Sequence, residues 1–259
     1  MDTQELFRTA LAFFRDGVEA AVDVTRTPWG GVTRADRYPT VHMANEAWVV
    51  SIPRGGASEI LAAMDRVYAG SQVRHRRLWF EDPDEAYAAQ EAFVAAGFKP
   101  TGELAMARLG QPSCILNPDV VVREADSDAI EEDYRAIGAA IDEGPGYDPK
   151  LSHDLYSLDR ERSALLRMRR FVAYLEDEPA GTFSLWPRRP FALIEYLGTH
   201  PRFRMKGVGR TMISEACHHA ILERCEWILL TADLFDTPRM MYKTLGFEPI
   251  GEIRGFLRA

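Results

Sequence analysis

Two octapeptides, GFKPTGEL from Gly97 and GFEPIGEI from Gly246, share Gly, Phe, Pro, Gly and Glu in register, 149 residues apart. The same offset lays Trp79-Phe80 on Ile228-Leu229, where both stretches read as strand. It also lays a helix-like run from Ser58 to Tyr68 broadly on a helix that follows a basic turn near residue 205. One matched peptide is a coincidence that chance can supply. A match through helix, strand and strand points to two copies of one fold. A chain of 259 residues accommodates that, because a domain typically needs roughly 100–150 residues. The stretch QPSCILNP, Gln111–Pro118, has linker chemistry, so the expected domains are 1–112 and 118–259.

Composition narrows the class further. The formal net charge is -8, which argues against a nucleic-acid partner and suits either a cationic partner or plain solubility. Cys114, Cys217 and Cys225 are odd in number and scattered, which fits neither a disulfide framework nor a zinc site, so no metal is expected. The start MDTQELFRTALAFFRDG is charged and amphipathic, without the basic n-region and small-residue cleavage site of a secretion signal. No apolar run approaches the roughly 20 residues that span a bilayer. These features lead us to expect a cytoplasmic protein without a membrane partner.

The second half reads clearly as mixed α/β. Val120–Glu124 is a β-branched strand, and Asp126 or Ser127 caps a helix running to about Ala140. The segment Asp142–Lys150 is broken by Gly and Pro, and Leu151–Leu166 is helical. Arg170–Leu175 and Gly181–Trp186 form a hairpin, and Leu193–Thr199 is a further strand. A helix over Val208–Glu223, a strand over Trp227–Ala232, a short helix capped by Asp236 and a closing strand over Phe247–Arg258 complete the half.

Between the strand ending at Thr199 and the helix starting at Val208 lies RFRMKGVGRTM, Arg202–Met212. Backbone N–H groups at a helix start have no intrahelical partner, and the helix dipole adds partial positive charge there. Gly207 and Gly209 let a ligand approach that backbone, and Arg204, Lys206 and Arg210 add charge in an otherwise acidic chain. The site suits a diphosphate. It is neither a Walker A loop nor a dinucleotide fingerprint, since the Gly-Lys-Ser/Thr and the third glycine are missing.

At this point the second half resembles the GNAT superfamily of acyl-CoA N-acyltransferases. Their Arg/Gln-x-x-Gly-x-Gly/Ala signature is matched by Arg204 through Gly209 after Thr199-His200-Pro201, and their Tyr-x-x-x-Gly-Phe element by Tyr242 through Phe247. The resemblance implies two tandem domains of α/β (α+β) class, each with a mixed, mostly antiparallel sheet flanked by helices. It implies that Arg204, Met205, Lys206, Gly207, Val208, Gly209 and Arg210 hold the pyrophosphate of coenzyme A, and that Leu197, Gly198 and Thr199 pair with its pantetheine arm. Acetyl-CoA is then the co-substrate, with Tyr242 as acid to the leaving sulfur. For the base, Glu195 interrupts an apolar strand and is the first choice, with Asp233 in reserve. The asparagine that many members carry upstream of the tyrosine is Phe235 here, and Asp236-Thr237-Pro238 runs one residue short. The acidic loop with Glu143 and Asp148 is either a substrate lid or an ordinary exposed loop.

In the first half the turn position reads GGASEI and the tyrosine position is Phe93, so that copy is expected to be degenerate and structural. The expected activity is direct transfer of acetyl to a primary amine of a small, possibly cationic molecule, by a monomer or homodimer. Alternatives are a protein that holds acyl-CoA without using it, and an enzyme with another acyl donor or a protein N-terminus as acceptor.

Overall fold

The computed structural model describes residues 2–234 and 238–259. By its internal contacts the chain divides into two compact units. The first comprises Met1–Ala105, Ala232–Asp236 and Ile250–Ala259, and the second Met106–Thr231 and Thr237–Pro249. Residues 112–118 thus lie inside the second unit, and the last ten residues of the chain belong to the first.

The first unit opens with α1 (Thr3–Glu19), whose Asp2 cap accepts from Glu5 N at 2.7 Å. Its residues Leu6, Phe7, Ala10, Leu11 and Phe13 form the buried stripe that helical spacing requires. Next come β1 (Asp23–Thr27), β2 (Gly30–Arg34), β3 (Glu46–Val49), α2 (Gly56–Val67), β4 (Arg76–Phe80), α3 (Pro83–Ala95) and β5 (Lys99–Leu109). The strand order is β1-β2-β3-β4, then the closing strand of the chain, then β5. That closing strand pairs antiparallel with β4, from Arg254 opposite Phe80 to Arg258 opposite Arg76. Its Phe256 stacks on Phe93 at 4.7 Å and meets Phe80 edge-on at 6.0 Å, in the middle of the unit's core.

The second unit continues with β6 (Val120–Glu124), α4 (Asp128–Asp142), α5 (Pro149–Leu166), β7 (Arg169–Leu175), β8 (Glu178–Arg188) and β9 (Phe191–Thr199). It ends with α6 (Val208–Leu222), β10 (Trp227–Asp233), α7 (Pro238–Thr244) and the start of β11 (Glu248–Arg258), whose remainder is the closing strand of the first unit. The sheet runs β10-β9-β8-β7-β6, antiparallel except for β9 with β10. This is the mixed, mostly antiparallel sheet with flanking helices that the sequence leads one to expect. The β7–β8 turn places Glu176 and Asp177 both at positive φ, the geometry of a two-residue hairpin.

Two details of this sheet shape the site. The β9–β10 ladder joins only Phe191–Leu193 to Trp227–Leu229, so Ile194–Thr199 of β9 lie beyond it. On its other edge β9 carries a bulge. Ser184 faces Glu195 but Thr182 faces Gly198, so β9 spends one extra residue and Tyr196 takes φ 51.

The two matched octapeptides begin alike in the backbone. Gly97 and Gly246 both adopt left-handed φ, 85 and 80, a conformation that favours glycine. Phe98 N donates to Phe93 O at 3.0 Å, and Phe247 N to Tyr242 O at 3.0 Å. The helices α3 and α7 therefore end in the same kind of turn.

Candidate active site

Beyond β9 the chain makes a short 3-10 turn, Pro201–Phe203, in which His200 Nδ1 accepts from Arg202 N at 3.1 Å. Phe203 is buried, with the Arg202 guanidinium 4.8 Å and the Lys206 ammonium 5.3 Å from its ring centroid. Met205 is fully exposed at φ 62. Gly207 follows at φ 83 and is the N-cap of α6, with no side-chain hydrogen bond to the helix start. The N–H groups of the first turn of α6 therefore have no capping side chain to satisfy them. A Cβ on Gly209 would stand 3.4 Å from Thr199 Oγ1 and 3.6 Å from Met241 Cε, so the helix start sits against the end of β9. Asn117 Nδ2 donates to Lys206 O at 2.8 Å and braces the turn, a contact between residues too far apart in sequence to be foreseen.

A cleft of about 170 Å³ opens between α4, α5 and the β8–β9 strands. Tyr134, Ile141 and Asp142 line it from α4, Ser152, Tyr156 and Asp159 from α5. Thr182 and the bulged residues Tyr196, Leu197 and Gly198 close it from the sheet. Gly198 is glycine for want of space, since a Cβ there would meet Ile141 Cδ1 at 2.9 Å.

The polar groups of the cleft form a dense network. Tyr134 Oη donates to Asp159 Oδ2 at 3.0 Å, Ser184 Oγ donates to Asp159 Oδ1 at 3.2 Å, and the two hydroxyls lie 2.9 Å apart. Asp159 is only 1% exposed. Its burial pushes the carboxyl up to about 6, against the pull of the Arg162 and Arg170 charges and the Tyr134 hydroxyl. Asp142, which accepts from Ser152 Oγ at 2.7 Å, is also raised by burial. Arg162 is as buried as Asp159 and donates from Nη2 to Glu195 Oε2 at 2.9 Å.

The sequence profile of the acetyltransferase (GNAT) family matches residues 130–247, which contain this turn and cleft. Residues 130–247 form a GNAT-family domain. No curated protein matches the chain in sequence. Among solved structures, a functionally unknown conserved protein from Staphylococcus epidermidis superposes with a TM-score of 0.75 at 16% identity, covering 95% of this chain and 96% of its own. A GCN5-related N-acetyltransferase from Kribbella flavida gives 0.70 at 16% identity, covering 97% and 94%. A tandem GNAT protein from the clavulanic acid biosynthesis pathway gives 0.58 at 14% identity, covering 91% and 81%. At these identities the likeness is one of fold.

Within the GNAT-family domain, Leu197 and Gly198 line the cleft and Thr199 borders the α6 start. Arg204 and Lys206 are exposed on the turn, Arg210 is partly exposed, and Val208 is buried beneath it. Tyr242 sits on α7, mostly buried, its ring 6.3 Å from that of Phe247. Glu195 is held by Arg162 as the counter-ion of a buried guanidinium. Asp233 is exposed and belongs to the first unit. Asp148 spends its carboxylate on capping α5, accepting from Leu151 N at 2.8 Å, and Glu143 is exposed at the C-terminus of α4. Neither lines the cleft. Phe235 and the following Asp236-Thr237 lie outside the described residues, as does the side chain of Pro238. Among the described residues no cluster suited to a metal is present, and no helix is long and apolar enough to cross a membrane.

The corresponding turn of the first unit is built differently. Glu59 bends back so that its Oε2 accepts from Gly55 N at 3.1 Å, placing a carboxylate at the start of α2. Phe93, in the position of Tyr242, is wholly buried in the aromatic core.

Proposed function

We propose that the GNAT-family domain transfers an acetyl group from acetyl-CoA to the primary amine of a small acceptor, by direct attack in a ternary complex. One observation carries this reading. The uncapped start of α6, with Arg204 and Lys206 exposed on the turn before it and Arg210 in its first turn, adjoins the stretch of β9 beyond its ladder with β10, and the same strand walls the carboxylate-bearing cleft. The first feature suits a diphosphate, the second an extended arm that adds to a strand, the third an ammonium group.

The residues fit that co-substrate. The bare amides of the α6 first turn and the cations of residues 204–210 would hold its pyrophosphate, and Leu197, Gly198 and Thr199 its pantetheine. Bound there, it supplies a thioester carbonyl and a thiol leaving group. Tyr242 would deliver a proton to the departing sulfur. For the amine proton the sequence favours Glu195, with Asp233 behind it. The cleft adds a third carboxylate, Asp159. A cavity of about 170 Å³ admits a compact amine head, little more than the benzene-sized guest of a 150 Å³ cavity. The first unit would be structural, because Glu59 already occupies the helix start where an anion would bind.

The test is calorimetric titration with acetyl-CoA of the native chain and of Gly209→Glu, a position with ordinary van der Waals room for a Cβ. The expected result is one site per chain, abolished by the introduced carboxylate. Absence of binding to the native chain overturns the reading. Binding without thiol release in the presence of amines would make the protein an acyl-CoA carrier instead.

A further inference from the structure

Resting on the acyl-transfer reading above, we propose that Asp159, rather than Glu195, takes the proton from the acceptor's ammonium group, with Tyr134 and Ser184 as positioning residues. Asp159 lines the cleft, whereas Glu195 is not among its lining residues. Glu195 is also committed elsewhere. It pairs with Arg162 at 2.9 Å, and taking a proton would cancel that charge pair beside a guanidinium that is 1% exposed.

The triangle around Asp159 is built to take one more proton. Asp159, Tyr134 and Ser184 make three oxygen–oxygen contacts, of 3.0, 2.9 and 3.2 Å. With Asp159 ionised, the two hydroxyls supply only two hydrogens for three contacts. A proton on Asp159 completes the ring, since every contact then has a donor. Charged and titratable groups face the carboxylate from every side. They are Tyr134 on α4, Arg162 on its own helix, Arg170 on β7, and Glu195 and Tyr196 on β9. Arg170 is paired with Glu131 at 2.7 Å, so the charges left around the carboxylate, Asp159, Glu195 and Arg162, sum to one negative when Asp159 is ionised, which draws an ammonium into the cleft. Burial works the other way on the carboxyl itself, raising it to about 6, so that it is mostly ionised near pH 7 and yet a stronger proton acceptor than an ordinary carboxylate.

The step balances without any further reactant. An N–H bond of R–NH3+ breaks and its proton passes to an Asp159 oxygen. The freed nitrogen pair forms the N–C bond to the thioester carbonyl carbon, the C–S bond breaks, and sulfur leaves with the proton from Tyr242. The second nitrogen proton restores Tyr242, and Asp159 returns its proton to water.

Two small nucleophiles separate a base from a structural residue. Ethylamine is almost wholly protonated at pH 7 and needs a base, while hydroxylamine is largely neutral and does not. Asp159→Asn is expected to lower kcat with ethylamine by about 100- to 10,000-fold while leaving hydroxylamine turnover and acetyl-CoA binding little changed. Glu195→Gln is expected to lower both amines alike. An equal loss with both amines in Asp159→Asn, no loss, or an ethylamine-selective loss in Glu195→Gln instead would overturn the assignment. Should Asp159→Asn fail to fold, NMR titration of the Asp159 side-chain carboxyl carbon in the native chain decides. Asp159 titrating in the ordinary carboxylate range overturns the proposal, and titration raised to about 6 upholds it. A native chain that binds acetyl-CoA yet acylates neither amine would remove the proposed function itself, and the role of Asp159 with it.

Discussion

Asp159 links chemistry to stability at a single carboxyl. Its value rises from the ordinary 3.8 to about 6 in the fold, so the native state holds this proton more tightly than the unfolded chain. The stabilisation is complete below about pH 4 and is lost as pH climbs through about 6. At about 1.4 kcal/mol per pH unit, the span amounts to about 3 kcal/mol. Asp159→Asn cannot ionise and lacks this dependence. Urea unfolding at pH 4 and pH 7 should therefore show the variant gaining on the native chain by up to that amount at the higher pH. A constant difference would mean the native carboxyl is not perturbed. Tyr242→Phe tests the other end of proton transfer. Turnover should fall by about 100-fold or more with acetyl-CoA affinity little changed, and equal loss of both would remove Tyr242 as the acid. The two residues differ in how they show in the sequence. Tyr242 stands four positions before Gly246 in a local pattern, whereas Asp159 meets partners 25 residues away on both sides. Only a faint trace marks it. Asp159 and Arg162 sit with Leu155 and Leu158 at helical spacing, charges on a face that should be apolar.

Elements show the same division between local and distant causes. The start of α6 is legible because glycine spacing and clustered cations are short-range chemistry, and the hairpin before β8 because turn residues separate two apolar runs. The β9 bulge is not legible. It arises from pairing with β8, and Glu195-Tyr196-Leu197 carries no glycine or proline to announce it. Its neighbour Gly198 is similarly explained only from the other side, by the Ile141 side chain of α4. Gly198→Ala should cost about 1–3 kcal/mol and narrow the cleft, and shortening Ile141 to Val in the same chain should restore part of it. Additive costs in that double variant would show that the two positions do not compete for space. At the start of α2 the Glu59 carboxylate accepts from Gly55 N, whereas no side chain caps the start of α6. Glu59→Gln keeps a hydrogen-bonding group but removes the charge at the helix start. A loss of about 0.3–1 kcal/mol in stability is expected, with still one acetyl-CoA site by titration. A second site in this variant would mean that the carboxylate alone silences the copy.

For the molecule as a whole, the matched octapeptides point to two halves but conceal how the chain is shared between its two compact units. A reading in sequence order cuts near residues 112–118, at the linker. By contacts, the final ten residues complete the first unit. The reason is physical. β4 would otherwise lack its antiparallel partner over Arg76–Phe80, and the core would lose Phe256, which is 2% exposed among Phe80, Phe93 and Phe98. An unpaired central strand exposes its backbone to water or to another chain, and a missing core aromatic alone costs about 3–5 kcal/mol. A fragment of residues 1–112 should therefore not fold, or should aggregate, by circular dichroism and sedimentation. Adding a separate peptide of residues 246–259 should restore cooperative unfolding, and the same peptide with Phe256→Ala should not. In the intact chain, Phe256→Ala should release amide protection in β4 and α3, some 170 residues away in sequence, before it does so in β7 and β8. If residues 1–112 fold unaided, the last strand is an ornament of the first unit rather than part of its core.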